Sequence, residues 1–162
     1  MTPQEIYQLL NKMQIKYQVV HHPAVLTTAE AGRYVKNYSF AKTKNLFLRT
    51  NNRKHYFLYV LMEDDRFNEK SFRQSVGTSR LSFASPDELS AKLNVEPGMV
   101  SPFNLLNDMT RQIPLIVSQR VLSDNELIGV HPNDNTQTVI LKTADLMGLL
   151  KTNETPIKVI NY

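Results

Sequence analysis

The sequence predicts an α+β fold: one domain across residues 1–162, with a mixed or antiparallel β-sheet surrounded by short helices. Three observations carry that expectation. Helix-start signatures recur at Thr2, Thr27 and Ser85, each a hydroxyl residue followed three positions later by Glu. Between and after them lie short runs dense in aliphatic and aromatic residues, bounded by polar turn residues. No internal repeat, linker or low-complexity stretch divides the 162 residues, a length suited to a single core.

The elements follow in order. Pro3 sits at a first helical position, and Ile6, Leu9, Leu10 and Met13 continue as a one-sided apolar stripe. Ile15, Tyr17 and Val19 alternate with polar residues and read as a strand ending at His21-His22-Pro23. Thr27 opens a short helix through Tyr34. Residues 45–49 and 56–62 form a strand pair around the polar tip 50–54, and Phe57-Leu58-Tyr59-Val60 needs cover on both faces. A helix is expected over 68–76 with Gly77 as its stop, then a short strand at 81–84. Ser85-Pro86-Asp87-Glu88 starts a helix running to about Leu93. Residues 94–108 lack clean periodicity, whereas 113–118, 126–130 and 136–142 read as three strands. Thr143 is expected to cap a last helix over 144–151, and Ile157 and Val159 suggest an edge strand in the tail.

Composition removes several chemistries. With no Cys there is no disulfide scaffold, thiolate zinc site, iron–sulfur cluster or Cys nucleophile. Neither phosphate-binding glycine motif is present, nor HExxH, nor a GxSxG elbow, so neither a metal nor a cofactor is expected. His21 and His22 are adjacent on a strand and point to opposite faces, so they cannot chelate together. Lys and Arg number 19 against 15 Asp and Glu, and this +4 surplus gives a weak attraction for anionic partners. The longest apolar run, residues 57–62, is far short of the ~18–20 residues that span a bilayer. With no secretory signal visible at the start, the cytoplasm is the expected location.

Three polar segments stand out beside these elements. Lys44 directly precedes the apolar run Asn45-Leu46-Phe47-Leu48, where its stem can lie on apolar surface and its ammonium enter a pocket. The segment from Val95 to Phe103 holds Pro97-Gly98 and then Pro102, a turn whose backbone amides suit a carbonyl oxygen or a developing oxyanion. The loop His131-Pro132-Asn133-Asp134-Asn135-Thr136 offers an imidazole and amides able to orient water or a small polar substrate. Each also reads as ordinary structure: a solvated lysine, a helix-to-strand connection and a polar loop. The acidic run Glu63-Asp64-Asp65 reads as a solvated turn against the alternative of a catalytic carboxylate pair.

In order along the chain, these segments resemble the bacterial prolyl-tRNA editing family, with its YbaK-like fold and its freestanding prolyl-tRNA deacylase branch. The resemblance rests on five blocks between about residues 15 and 150. They are His22-Pro23-Ala24-Val25; Thr43-Lys44-Asn45-Leu46-Phe47-Leu48-Arg49; Arg80-Leu81-Ser82-Phe83-Ala84-Ser85; the loop of Pro97, Gly98, Val100, Pro102 and Phe103 with Asn107-Asp108; and His131-Pro132-Asn133 with Asn135, Thr136 and Val139. Each block alone is weak, and their shared order is specific.

The resemblance implies hydrolysis of the ester joining an amino acid to the terminal ribose of a mischarged tRNA, acting in trans, most readily on alanyl-tRNA(Pro). It places the family's invariant lysine on Lys44 as the catalytic residue. It places the aminoacyl pocket on Gly98, Val100, Pro102 and Phe103, with His131, Pro132 and Asn133 beside it. An attacking water, oriented with the help of a ribose hydroxyl, needs no protein nucleophile. The implied partners are tRNA(Pro) and, as a second candidate, prolyl-tRNA synthetase. Where the family reads Pro-Phe-Gly-Leu, this chain has Pro102-Phe103-Asn104-Leu105, and the Asn104 side chain is expected to narrow or reshape the pocket. Two alternatives stay open: release of serine or cysteine instead, or a weakly catalytic module that holds aminoacyl-tRNA or a protein partner.

Overall fold

The structure is a computed structural model and describes residues 1–161. Helix α1 (Pro3–Lys12) starts as its sequence dictates: Thr2 Oγ1 accepts from the Glu5 N–H, and Glu5 accepts from the Thr2 N–H. Its stripe buries Ile6 and Leu10 completely. After strand β1 (Tyr17–His21), Thr27 caps helix α2 (Thr28–Val35). Here Glu30 accepts from the Leu26 N–H at 2.9 Å, one residue earlier than a complete capping box, and so ties the preceding loop to the helix.

Five strands form one mixed sheet in the order β4-β2-β3-β5-β8, comprising β2 (Thr43–Thr50), β3 (Tyr56–Met62), β4 (Leu81–Phe83), β5 (Leu115–Ser118) and β8 (Ile157–Ile160). Pairings β4–β2 and β2–β3 are antiparallel, whereas β3–β5 and β5–β8 are parallel. Three more strands form an antiparallel sheet, β1-β7-β6, with β6 at Leu127–Val130 and β7 at Gln137–Lys142. The α+β class is therefore as expected, with the strands divided between two sheets. One bridge joins them: Ala41 pairs with Ile128, and the Ala41 N–H donates to Leu127 O at 2.8 Å.

Strand β3 explains the layering. Leu58, Val60 and Met62 face a large core shared with α1, the β6–β7 sheet, helix α4 (Pro86–Leu93) and helix α6 (Thr143–Thr152). Phe57, Tyr59 and Leu61 face a smaller core closed by helix α3 (Glu69–Val76). Phe72 of α3 is fully buried there, 4.8 Å from the Tyr59 ring and edge-on to Phe57. Asn68 caps α3 at one end, and Gly77, at φ 74°, ends it as expected.

One local expectation is corrected, and one element is added. Thr143 does not cap α6; it is the first helical residue, its Oγ1 is buried without a partner, and its N–H donates to Glu126 O at 3.0 Å. A backbone carbonyl of the neighbouring strand end replaces the side-chain cap. A short helix α5 (Gln119–Asp124) also lies between β5 and β6, where its six residues bury only Val121 and give no legible period.

Phe72→Ala should cost about 3–5 kcal/mol, the usual range for emptying a buried aromatic site. Denaturant unfolding of the two proteins measures it.

Candidate active site

The polar end of β2 reaches the junction of the two sheets and opens onto a cavity of about 260 Å³. Thr43, Lys44 and Asn45 come from β2, Gly129 and Val130 from β6, and Gln137 and Thr138 from β7. Gly98 and Val100 close one side, and α2 closes another through Thr28, Ala31, Gly32 and Val35. Those four positions are spaced i, i+3, i+4, i+7 and share one helix face. The bottom includes Phe40, whose ring lies against Gly129 so closely that a Cβ there would come within 2.4 Å of it.

The segments that resembled a site are cross-linked here. The Val100 carbonyl oxygen accepts from Asn45 Nδ2 at 3.2 Å and pairs with His131 Nε2 at 3.1 Å. Ser101 Oγ donates to His131 O at 2.7 Å. A carbonyl only accepts, so Nε2 of His131 carries the proton and Nδ1 is left as an acceptor. That Nδ1 is buried without a partner, as are Thr43 Oγ1 and Asn45 Oδ1, all three belonging to residues that line the cavity. Burial pushes the His131 pKa down to about 4, against weaker upward pulls from the Val100 carbonyl and Asp134, so the ring is neutral at physiological pH.

Lys44 also lines the cavity, and its Nζ donates to Glu63 O at 3.2 Å and to Asp65 O. Among the described residues no carboxylate pairs with it; Arg120 takes Asp64, at 2.9 Å, and Asp65. The acidic run is thus a turn in which the Asp64 and Asp65 carboxylates face Arg120, while the Glu63 and Asp65 carbonyls hold the lysine. An ammonium with three N–H groups keeps one beyond these two carbonyls. In the 95–103 segment, Gly98 takes φ 84°, a value that favours glycine. The Met99, Ser101 and Phe103 amides are engaged locally, whereas those of Gly98 and Val100 meet no protein acceptor among the described residues.

Of the residues that the resemblance placed at the site, Lys44, Gly98, Val100 and His131 line the cavity, and Pro102, Phe103, Pro132 and Asn133 do not. Pro102 and Phe103 begin a 3₁₀ helix (Pro102–Asn107) and are buried, Phe103 completely, as part of the large core. Pro132 is buried in the loop, and Asn133, at φ 60°, lies at a separate polar hollow, donating to Met1 O at 3.0 Å. Asn104 does not narrow the cavity: it is fully buried, Oδ1 accepts from the Ser101 N–H at 2.6 Å, and Nδ2 donates to Asn133 Oδ1. It braces the two loops against each other. His22, also lining the cavity, is satisfied by Pro23 O and Thr138 Oγ1, both at 2.9 Å.

Thr43 and Asn45 carry two of the unpartnered atoms; both stand in the motif block of Lys44, but the sequence assigns them no role at the site. Their signal is faint: both share a strand face with Phe47, so polar residues continue an otherwise inward-facing row. A pH prediction follows from His131. Its native pKa lies below the roughly 6.5 of an unfolded chain, so its contribution to stability is complete above about pH 6.5 and declines as pH falls towards 4. Melting temperatures at pH 7 and 4.5 should fall less in His131→Asn than in the wild type.

Residues 22–149 match the aminoacyl-tRNA editing domain. The chain is 33% identical over 158 residues to the prolyl-tRNA editing protein ProX of Acetoanaerobium sticklandii, covering 97% of this chain and 95% of that protein. It is 29% identical over 161 residues to prolyl-tRNA synthetase associated domain-containing protein 1 of Mus musculus, covering 98% and 95%. A solved structure described as a candidate trans-editing enzyme for prolyl tRNA synthetase shares the fold at a TM-score of 0.74 and 18% identity, covering 98% of this chain and 94% of that one. With the matched region spanning six of the eight strands and every residue that lines the cavity, the chain belongs to the aminoacyl-tRNA editing domain family.

Proposed function

We propose that this protein is a freestanding deacylase that removes alanine esterified to tRNA(Pro), with the cavity at the sheet junction as its aminoacyl pocket. The carrying observation is the set of three buried acceptors without partners, Thr43 Oγ1, Asn45 Oδ1 and His131 Nδ1, all on residues that line one small cavity. Leaving such groups unpaired costs roughly 1–3 kcal/mol each, a cost that a donor-rich ligand relieves. An α-ammonium brings three N–H donors, matching three acceptors, whereas the secondary amine of proline brings two. The neutral state of His131 keeps that site attractive to a cation. The neighbouring wall of Ala31, Gly32, Val35 and Phe40 suits a small apolar side chain. The names of the two relatives support tRNA(Pro) as the carrier.

In this reading Lys44 and the free amides of Gly98 and Val100 face the developing oxyanion as water adds to the ester carbonyl. The bond from the carbonyl carbon to the ribose oxygen then breaks, releasing the amino acid and a tRNA with its terminal hydroxyl restored. Pro102, Phe103, Pro132 and Asn133 act by holding the loops rather than by touching the amino acid. A second reading, a module that binds aminoacyl-tRNA without turnover, is favoured by the two carbonyls that already hold the Lys44 ammonium.

Two measurements test the proposal. Lys44→Ala should lower single-turnover deacylation of alanyl-tRNA(Pro) by about 100-fold, in the range for removing one oxyanion donor; equal rates would remove Lys44 from the chemistry. N-acetylalanyl-tRNA(Pro), which lacks the ammonium, should be cleaved at least ~10-fold more slowly, about the value of one lost charged hydrogen bond. Tight binding without release of Ala, Ser, Cys or Pro would establish the binding module instead.

A further inference from the structure

Helix α2 holds a glycine that the protein's own packing does not require. Gly32 lies in mid-helix, where glycine is less stable than alanine, and a Cβ built on it meets no atom within 4 Å. Other glycines have their reasons: Gly77 and Gly98 take positive φ, and Gly129 makes way for the Phe40 ring. Only Gly148 of α6 resembles Gly32, being helical with open space beside it. The two differ in place. Gly32 lines the cavity, on the same face of α2 as Thr28, Ala31 and Val35, and Gly148 does not. The space over Gly32 is therefore cavity space, and a methyl group there would be taken from an occupant.

We propose that Gly32 is a specificity-determining residue, through which bare helix backbone forms the wall beside the amino-acid side chain and sets the largest side chain admitted. This rests on the reading of the cavity as an aminoacyl pocket. The amino group is anchored at the polar end by Thr43, Asn45 and His131, so the side chain is directed at a fixed depth towards Ala31, Gly32, Val35 and Phe40. A tethered ligand cannot shift to recover the room that one added methyl removes, so the loss grows with side-chain size. The destabilising choice of glycine in the helix is then explained by the ligand, the component absent from the protein's own contacts.

The experiment compares Gly32→Ala, Gly148→Ala and wild type on glycyl, alanyl and 2-aminobutyryl esters of the same tRNA(Pro). Both variants should melt about 2–4 °C higher, as expected for alanine in a helix of a protein this size. Gly32→Ala should lower kcat/KM in a graded way: little for glycyl, and about 10-fold more for each added carbon. Gly148→Ala should leave all three rates unchanged. An unaltered ratio of glycyl to alanyl rates in Gly32→Ala, whether both rates are intact or both fall together, would overturn the assignment. Failure of the wild type to release any of the three would overturn the editing function itself, and this inference with it.

Discussion

Strand β3 is apolar at successive positions and so can exist only where both of its faces are covered. That constraint forces a layer on each side: the large core against α1, α4, α6 and the second sheet, and the smaller one under Phe72. Register then does the rest. Pairing with β3 places Phe47 and Leu48 of β2 in the two cores, and the start of β2 runs out opposite Leu61 and Met62. Its polar residues, Thr43 to Asn45, emerge where the five-stranded sheet meets the three-stranded one.

The seam is held by polar contacts that leave it short of partners. One carbonyl, that of Val100, serves both Asn45 and His131, side chains from the two sheets' sides of the cavity. Fixing the donor ends of both groups turns their acceptor ends, Oδ1 and Nδ1, into unmatched sites. Burial also keeps the imidazole neutral, so the positive charge on the cavity wall comes from Lys42 and Lys44 and not from His131. Stability is sacrificed locally, which the two cores can bear.

Much of the fold could be read directly. Capping signatures located α1, α2 and α4, and Gly77 ended α3, because these signals are local hydrogen bonds. Thr143 misled because its N–H found a carbonyl on a neighbouring strand end, and α5 is too short to show a period. For the site, motif order brought out Lys44, Gly98, Val100 and His131, but it equally brought out Phe103 and Asn133. Residues that hold a loop and residues that touch its ligand recur in the same motif, and only position in space separates them. Asn104 illustrates the point: a change beside the pocket in sequence is a brace beneath it in structure.

What the sequence determined by itself was everything set by neighbours within a few residues: helix starts and stops, the two-sided strand, the absence of Cys chemistry and the ordered motifs of an editing family. What only the tertiary structure decided was which polar atoms end without partners and which helical glycine lines the cavity. His131 stands 88 positions after Thr43 and 86 after Asn45, and nothing local links its unmatched acceptor to theirs. Hydrogen-bond saturation and free volume are sums over all neighbours in space, so they exist only once both sheets have closed around the cavity.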